Sequence, residues 1–164
     1  MEDRQPNALL LEMIGPDAGG TVDHAGRWQR DVAMPAAMST GAFSRAAAFR
    51  NLRPDEARFP RKIDEATHLT VYEIERGEAA VLSRLEGLPS AGGGARAVNR
   101  FVFRRYPRPN QGRLTGNPTR GIFLILISPT ERRRAQELRD WADFVHIHYI
   151  AAATPAGFTT ITPY

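Results

Sequence analysis

Two segments of the sequence resemble each other at a spacing of 113 residues. Ala8–Pro16 and Gly121–Pro129 are both apolar runs that end in proline. Twelve residues after each proline stands one of the two tryptophans of the chain, Trp28 or Trp141. Farther along both segments, an aromatic residue that follows a glycine is itself followed six residues later by another aromatic residue. Such self-similarity is typical of a repeated supersecondary unit, so the sequence predicts a duplicated strand–helix–strand unit.

The first segment and the residues after it predict the order β-α-β-β-α-β, which is ferredoxin-like. The apolar runs are continuous, as expected of strands that are covered on both faces. Pro35 falls inside the first helical pattern and predicts a kink or an end near Ala33. The predicted strands are Ala8–Ile14, Phe43–Arg50, Thr67–Glu75 and Ala97–Tyr106, and the predicted helices are Val22–Met38 and Glu78–Leu88.

The predicted fold class is α+β, with an antiparallel sheet and helices on one face. We expect a first ferredoxin-like repeat at residues 1–89 and a second, shortened repeat at residues 121–164. Residues 90–120 are rich in glycine, arginine and proline and predict a linker, with a further strand near 97–106. The duplicated unit would form all or part of an α+β barrel. Because a shortened repeat leaves a sheet edge open, the pattern favours a homodimer.

The composition excludes several classes of protein. The chain has no cysteine, which excludes disulfides, zinc–thiolate sites and iron–sulfur clusters. Its longest apolar run, Ile122–Ile127, is far shorter than the ~20 residues that span a bilayer. The polar start of the chain does not resemble a signal peptide, so a cytoplasmic protein is expected. The net charge is only +4, so the basic stretch Arg100–Arg113 is interpreted as a solvated strand and loop, with nucleic-acid binding as the alternative.

A short motif follows each tryptophan. The second segment reads WADFVHIH from Trp141 to His148 and then TPAGF up to Phe158, whereas the first reads WQRDVAMP from Trp28 to Pro35 and then GAF. This pattern resembles the EthD-like group of small α+β barrel proteins. In that group a tryptophan and four further residues precede His-Ile-Pro or His-Leu-Pro, and Pro-Gly-Phe opens the next strand.

The resemblance implies two ferredoxin-like units, within one chain or between two, that enclose a cavity. It places the histidine of the group at His146, whereas Ala33 stands at that position in the first segment. It also implies lyase, isomerase, cyclase or monooxygenase chemistry on mostly apolar substrates. We therefore expect an enzyme without metal or cofactor that acts on a small apolar or aromatic molecule, with His146 as general acid or base. The alternatives are a non-catalytic binding or scaffold protein of the same fold and a haem-linked monooxygenase.

Helical spacing orders the candidate residues of the second segment. At about 100° per residue, one apolar stripe is predicted to face the core, and Asp143 to face solvent. His148 lies near the edge of the stripe and His146 on the opposite flank, about 200° away, so the pair is not expected to hold a metal ion. Tyr149 could hold a substrate oxygen during catalysis. The predicted stripe comprises Leu138, Trp141, Ala142, Val145, Tyr149 and Ala152.

Further candidates would contact the substrate. Along Thr67–Glu75 the side chains alternate, so His68 and Tyr72 share one face. If that face lines a cavity, both residues contact the substrate; the alternative is a solvent-facing edge strand. The predicted substrate-binding residues are His68, Tyr72, Trp141, His148, Phe123 and Phe158.

Overall fold

The computed structural model describes residues 6–52, 66–75, 78–105, 111–112, 116, 118–153, 160–162 and 164. The chain divides into two compact units: the first unit is Pro6–Arg105, and the second unit is Tyr106–Tyr164 together with Met1–Gln5. The described part of the first unit contains a five-stranded sheet with three α-helices, and that of the second contains two α-helices and a two-stranded sheet. The mixed α+β class that the sequence predicts is confirmed.

The first unit is built on an antiparallel sheet. Its order is β2-β3-β1-β5-β4, and every pair of neighbours is antiparallel. The first strand of the chain therefore lies at the centre, between two long partners. The strands are β1 (Ala8–Pro16), β2 (Arg45–Arg50), β3 (His68–Ile74), β4 (Ala91–Gly92) and β5 (Ala95–Arg104).

Strand β1 is buried on both faces, which explains its continuous apolar run. Leu10 and Ile14 lie on one face and Leu11 and Met13 on the other, and all four are almost fully buried. The single charged residue of the run, Glu12, is also buried. Because a buried carboxylate is costly unless it is paired, this residue must have partners inside the unit.

The three helices of the first unit pack on the same face of the sheet. Trp28 of the first helix joins Ile14 in one buried cluster. Ala37 of the second helix and Val81 of the third join Leu10 in another. The helices are α1 (Val22–Trp28), α2 (Met34–Ser39) and α3 (Glu78–Arg84).

A capping box starts α1. The hydroxyl of Thr21 accepts a hydrogen bond from the amide of His24, and Nδ1 of His24 accepts one from the amide of Thr21. These bonds satisfy donors that the first turn of a helix would otherwise leave free.

A π-helical turn, Gln29–Ala33, joins α1 to α2. The amide of Met34 donates to the carbonyl of Gln29, five residues earlier, rather than to a carbonyl four residues earlier. Pro35 follows in the first turn of α2, where its missing N–H is tolerated. The sequence predicts a kink or an end of the helix near Ala33, and the structure changes helix type there.

The glycine run is a tight turn, not the linker that its composition predicts. Strands β4 and β5 pair as a hairpin, with Ala91 opposite Arg96. Gly93 and Gly94 form the turn with φ of 58° and 80°. A hairpin turn with two positive φ values is the geometry that glycine adopts at no steric cost. The strand expected near 97–106 is β5, which begins directly after this turn.

The second unit repeats the helical part of the first. It contains α4 (Ala135–Trp141), a π-helical turn (Ala142–His146) and α5 (Ile147–Ala153). Each of these three segments begins 113 residues after its counterpart in the first unit. His148 stands where Pro35 stands in the first unit, so the proline is not what causes the π turn.

The strand predicted at Gly121–Pro129 is not formed. The structure describes this segment without strand pairing, and the side chains of Ile122, Phe123, Ile125 and Ile127 are exposed. In the first unit the equivalent run pairs on both sides, with β3 and β5. Within the described residues of the second unit, the only paired strands are β6 (Gln111–Gly112) and β7 (Thr160–Ile161).

The apolar stripe predicted to face the core in the helical region of the second segment is also wrong. Trp141, Val145 and Tyr149 are exposed, whereas Asp143, expected to face solvent, is buried. The spacing argument assumes 3.6 residues per turn throughout. A π turn contains one additional residue and so rotates the side chains that follow it, such as Tyr149, by about 100° relative to those that precede it, such as Trp141.

Candidate functional site

A cavity of about 340 Å³ lies in the first unit, between the α1 helix with its π turn and strands β2 and β3. Its lining combines apolar, amide, imidazole and charged side chains. The lining residues are Val22, Asp23, Gly26, Arg27, Gln29, Arg30, Ala48, Phe49, Arg50 and His68.

Two buried polar residues, His68 and Gln29, form the floor of the cavity. Nε2 of Gln29 donates to Oγ1 of Thr70 over 2.9 Å. Nδ1 of His68 lies 3.0 Å from Oγ1 of Thr67. The contact with Thr67 occupies Nδ1, so Nε2 is the ring nitrogen that remains for a ligand.

Because Gly26 has no side chain, the His68 ring can pack closely against helix α1 at this position. A Cβ atom at position 26 would lie 2.9 Å from Nε2 of His68 and 3.4 Å from a guanidinium nitrogen of Arg30. Glycine within a helix costs roughly 0.5–1 kcal/mol relative to alanine. The close approach of the imidazole is the physical reason for a glycine here.

The surroundings of His68 favour its neutral form. Burial lowers the pKa of this imidazole, and the positive charges of Arg50 and Arg30 lower it further, whereas Asp23 acts in the opposite direction. Because an imidazole already has an ordinary pKa near 6.5, His68 is neutral at pH 7. It can therefore donate or accept a hydrogen bond without carrying a charge.

Three arginines surround the opening of the cavity. Arg27 and Arg30 come from the helix side, and Arg50 comes from β2, where it lies directly opposite His68. All three are exposed, and so is Asp23, the acidic residue of the lining. In the part of the chain that the structure describes, no carboxylate forms an ion pair with any of the three guanidinium groups. The lining thus carries an excess of positive charge.

A separate polar network connects strands β3, β1 and β5 through Tyr72, Glu12 and Arg100. Glu12 accepts a hydrogen bond from the hydroxyl of Tyr72 over 2.9 Å and forms an ion pair with Arg100, whose Nε lies 2.8 Å from Oε1. Arg100 also donates to the carbonyls of Leu85 and Pro89. These contacts pair the buried carboxylate and connect β1 and β5 to the end of α3.

The alternation of β3 places His68 and Tyr72 on one face, as the sequence predicts, but their surroundings differ. His68 lines the cavity, and Tyr72 is fully buried with its hydroxyl on Glu12. Burial, and then the negative charge of Glu12, raise the pKa of Tyr72 above its ordinary value. This hydroxyl therefore remains protonated and holds the sheet together.

In the second unit, the π turn brings His146 onto Trp141. Their ring centroids are 4.8 Å apart and their planes differ by 14°, which is a stacked arrangement. The residues are five apart in sequence, which is the hydrogen-bond spacing of a π turn. His146 is half-buried, whereas Trp141 is 47% exposed.

The other candidates of the second unit lie at the surface. His148 is exposed and meets Tyr149 edge to face at 6.1 Å. Tyr149 is 69% exposed and Phe123 is 72% exposed. Phe158 lies outside the described residues. Among the described residues there is no group of three or more histidine or acidic side chains placed to hold a metal ion.

The sequence did not identify Gly26, Gln29, Arg30 and Arg50 as part of a site. One signal was available, since a glycine inside a predicted helix often has a packing or functional reason. The arginines carried no such signal, because exposed arginines are common on every surface.

Comparison of the chain with protein-family models, with curated proteins and with solved structures finds no match. No helix within the described ranges is both long and apolar enough to cross a bilayer.

Proposed function

We propose that this protein binds a small molecule in the cavity of the first unit, with the imidazole of His68 in contact with the ligand. The observation that carries the proposal is the buried, neutral His68 at the floor of a cavity of about 340 Å³. Ligand pockets typically enclose about 300–1,000 Å³ and combine an apolar lining with a few converging polar groups. Val22 and Ala48 supply the apolar part here.

Binding without catalysis is the form of the predicted function that this geometry supports best. A general acid or base commonly works with a second group that acts on the substrate, such as a nucleophile or another titrating side chain. The lining offers arginines, which do not exchange protons near pH 7, and Asp23 at the surface. His146, the predicted catalytic residue, is not among the residues that line this cavity.

Nuclear magnetic resonance of the imidazole protons tests the proposal directly. The chain has four histidines, so each ring signal can be assigned by one substitution. A library of small aromatic and aliphatic fragments, charged and neutral, should contain members that shift the His68 signal and leave that of exposed His148 in place. His68→Phe, which fills the floor, should abolish binding of the same fragments. If no fragment moves the His68 signal, the proposal fails.

The second candidate is the enzyme that the sequence predicts, with His146 as general acid or base. The stacking of His146 on Trp141 favours it, because a fixed ring orientation is what a catalytic imidazole requires. The same spectra distinguish the two proposals. Fragments that shift the His146 signal and not the His68 signal would favour the EthD-like enzyme, and His146→Ala should then abolish turnover of the corresponding substrate.

We further propose that the two units are copies of one ferredoxin-like unit and that the protein is a homodimer. The matching α–π–α segments support a duplication. Four large apolar side chains within segment 121–129 are exposed, and apolar residues grouped at a surface are typical of an interface, which supports dimerisation. Sedimentation equilibrium should give twice the chain mass, and Ile125→Arg should give the mass of one chain. A monomeric parent protein would exclude the dimer.

A further inference from the structure

We infer that the ligand of this cavity is a small organic acid, whose carboxylate or phosphate oxygens are bound by Arg30 and Arg50 together with Nε2 of His68. This inference rests on the proposed function and specifies the chemical class of the ligand. It follows from three features of the lining: the placement of the arginines, their lack of ion pairs with the carboxylates that the structure describes, and the position of the imidazole nitrogen.

The arginines converge from two different elements. Arg50 on β2 and His68 on β3 are register partners, so their side chains leave the sheet on the same face. Arg30 approaches from the helix side, close enough that a Cβ atom on Gly26 would touch both it and His68. Both arginines are near enough to His68 to lower the pKa of its imidazole, and an oxyanion bound at this imidazole would be attracted by guanidinium groups from a helix and from a strand.

The positive charge of the lining is not balanced by an ion pair among the described residues. Three arginines and one aspartate line the cavity, and His68 adds no charge. In the described part of the chain, Arg27, Arg30 and Arg50 form no ion pair, even with Asp23, which lines the same cavity. By contrast, Arg100 of the same unit is paired with Glu12. Guanidinium forks match the oxygens of carboxylate and phosphate groups, so an acidic ligand would supply the missing charge.

The remaining lining residues and the cavity volume determine the size and polarity of the non-acidic part of the ligand. Val22 provides apolar surface on the helix side and Ala48 on the strand side. A cavity of about 340 Å³ lies near the lower limit of ligand pockets. The ligand is therefore a compact acid with a small apolar or aromatic body, and not an extended polyanion.

Isothermal titration calorimetry with three matched probes tests this class. Benzoate, phenyl phosphate and neutral benzamide share one ring and differ in the head group. The full chain should bind at least one of the two anions 10-fold or more tightly than benzamide. The stronger of the two anions identifies carboxylate or phosphate as the preferred head group.

Matched arginine variants locate the binding. Arg30→Gln and Arg50→Gln should each weaken binding of the preferred anion about 10- to 100-fold, the range expected for loss of a hydrogen bond to a charged group. Arg45→Gln is the control: it removes an exposed arginine of the same strand that does not line the cavity, and it should change binding less than twofold. Circular dichroism of each variant confirms that the fold is intact.

The outcomes separate the two proposals. If benzamide binds as tightly as the anions and shifts the His68 signal, the small-molecule proposal stands and the acidic ligand class is overturned. Anion binding that Arg45→Gln weakens as much as Arg50→Gln does would indicate diffuse surface attraction and would also overturn the inference. If none of the probes and no fragment of the library binds at the cavity, both proposals fail.

Discussion

A methyl group on Gly26 would lie 2.9 Å from Nε2 of His68. This distance is shorter than a carbon–nitrogen contact tolerates, so Gly26→Ala must displace the imidazole or the helix. Alanine also stabilises the helix by roughly 0.5–1 kcal/mol, which offsets part of the cost of overpacking. The ring of His68 should therefore move while the fold persists.

We expect Gly26→Ala to shift the His68 ring signal and to weaken binding of the preferred anion about tenfold. Gly87→Ala is the matched control, because a Cβ atom there would meet nothing within 4 Å. Calorimetric titration of the two variants provides the comparison. Unchanged affinity in Gly26→Ala would show that Nε2 does not contact the ligand.

Tyr72→Phe should destabilise the first unit. The change removes the hydroxyl that donates to Glu12 and leaves the buried carboxylate with Arg100 alone. A buried acceptor that loses a partner costs about 1–3 kcal/mol, and urea denaturation should show a free energy of unfolding lower by that amount. Tyr149→Phe removes a largely exposed hydroxyl and should change this free energy by less than about 0.5 kcal/mol.

Stability should fall in acid through His68. Its pKa is lower in the folded chain than the ordinary value of about 6.5, so the unfolded chain takes up this proton first as the pH decreases. The contribution of neutral His68 to the free energy of unfolding is complete above about pH 6.5. It is lost progressively as the pH falls toward the folded-state pKa of this imidazole.

His68→Gln isolates this contribution, because glutamine has no proton to gain. Urea denaturation gives the free energy of unfolding at pH 7.5 and at pH 5.5. The decrease between these two pH values should be smaller for His68→Gln than for the parent protein. Arg50→Gln removes one of the charges that lower the pKa of His68 and should reduce the loss as well. Identical pH dependence in the parent and His68→Gln would contradict the burial of a neutral imidazole.

The two histidines of the second unit should respond differently to substitution. His146→Ala removes the stack on Trp141. Because an aromatic pair contributes about 0.5–1.5 kcal/mol beyond its buried area, this substitution should lower the free energy of unfolding by about that amount. His148 is exposed, so His148→Ala should change the free energy of unfolding by no more than about 0.5 kcal/mol. Chemical denaturation of both variants shows which substitution destabilises more. A larger effect of His148→Ala would contradict the exposed position of His148.

The sequence predicted the first unit better than the second for a physical reason. A continuous apolar run predicts a strand correctly where neighbouring strands are present to pair with it, and β1 pairs on both sides with β3 and β5. The run 121–129 is equally apolar, but the structure describes no strand paired with it. Composition alone cannot distinguish these two situations, because strand formation depends on the neighbouring strand.

The candidate site was predictable only in part. The alternation along β3 identified His68, since side chains of a strand take opposite faces in turn. The other lining residues come from α1, the π turn and β2, and their meeting depends on how the helix crosses the sheet. The π turns also shift the faces of both helices, and a change in backbone hydrogen bonding cannot be derived from residue spacing.

The position of β1 at the centre of the sheet has a consequence for biosynthesis. Of the five strands of this sheet, β1 leaves the ribosome before the others, but its two neighbours are β3 and β5, and the last of these ends at Arg104. At about 5–20 residues per second, the nascent chain presents the uncovered apolar residues of Ala8–Ile14 for roughly 10 s before the sheet can close. A chaperone that binds short apolar segments would therefore encounter this strand before the rest of the unit exists.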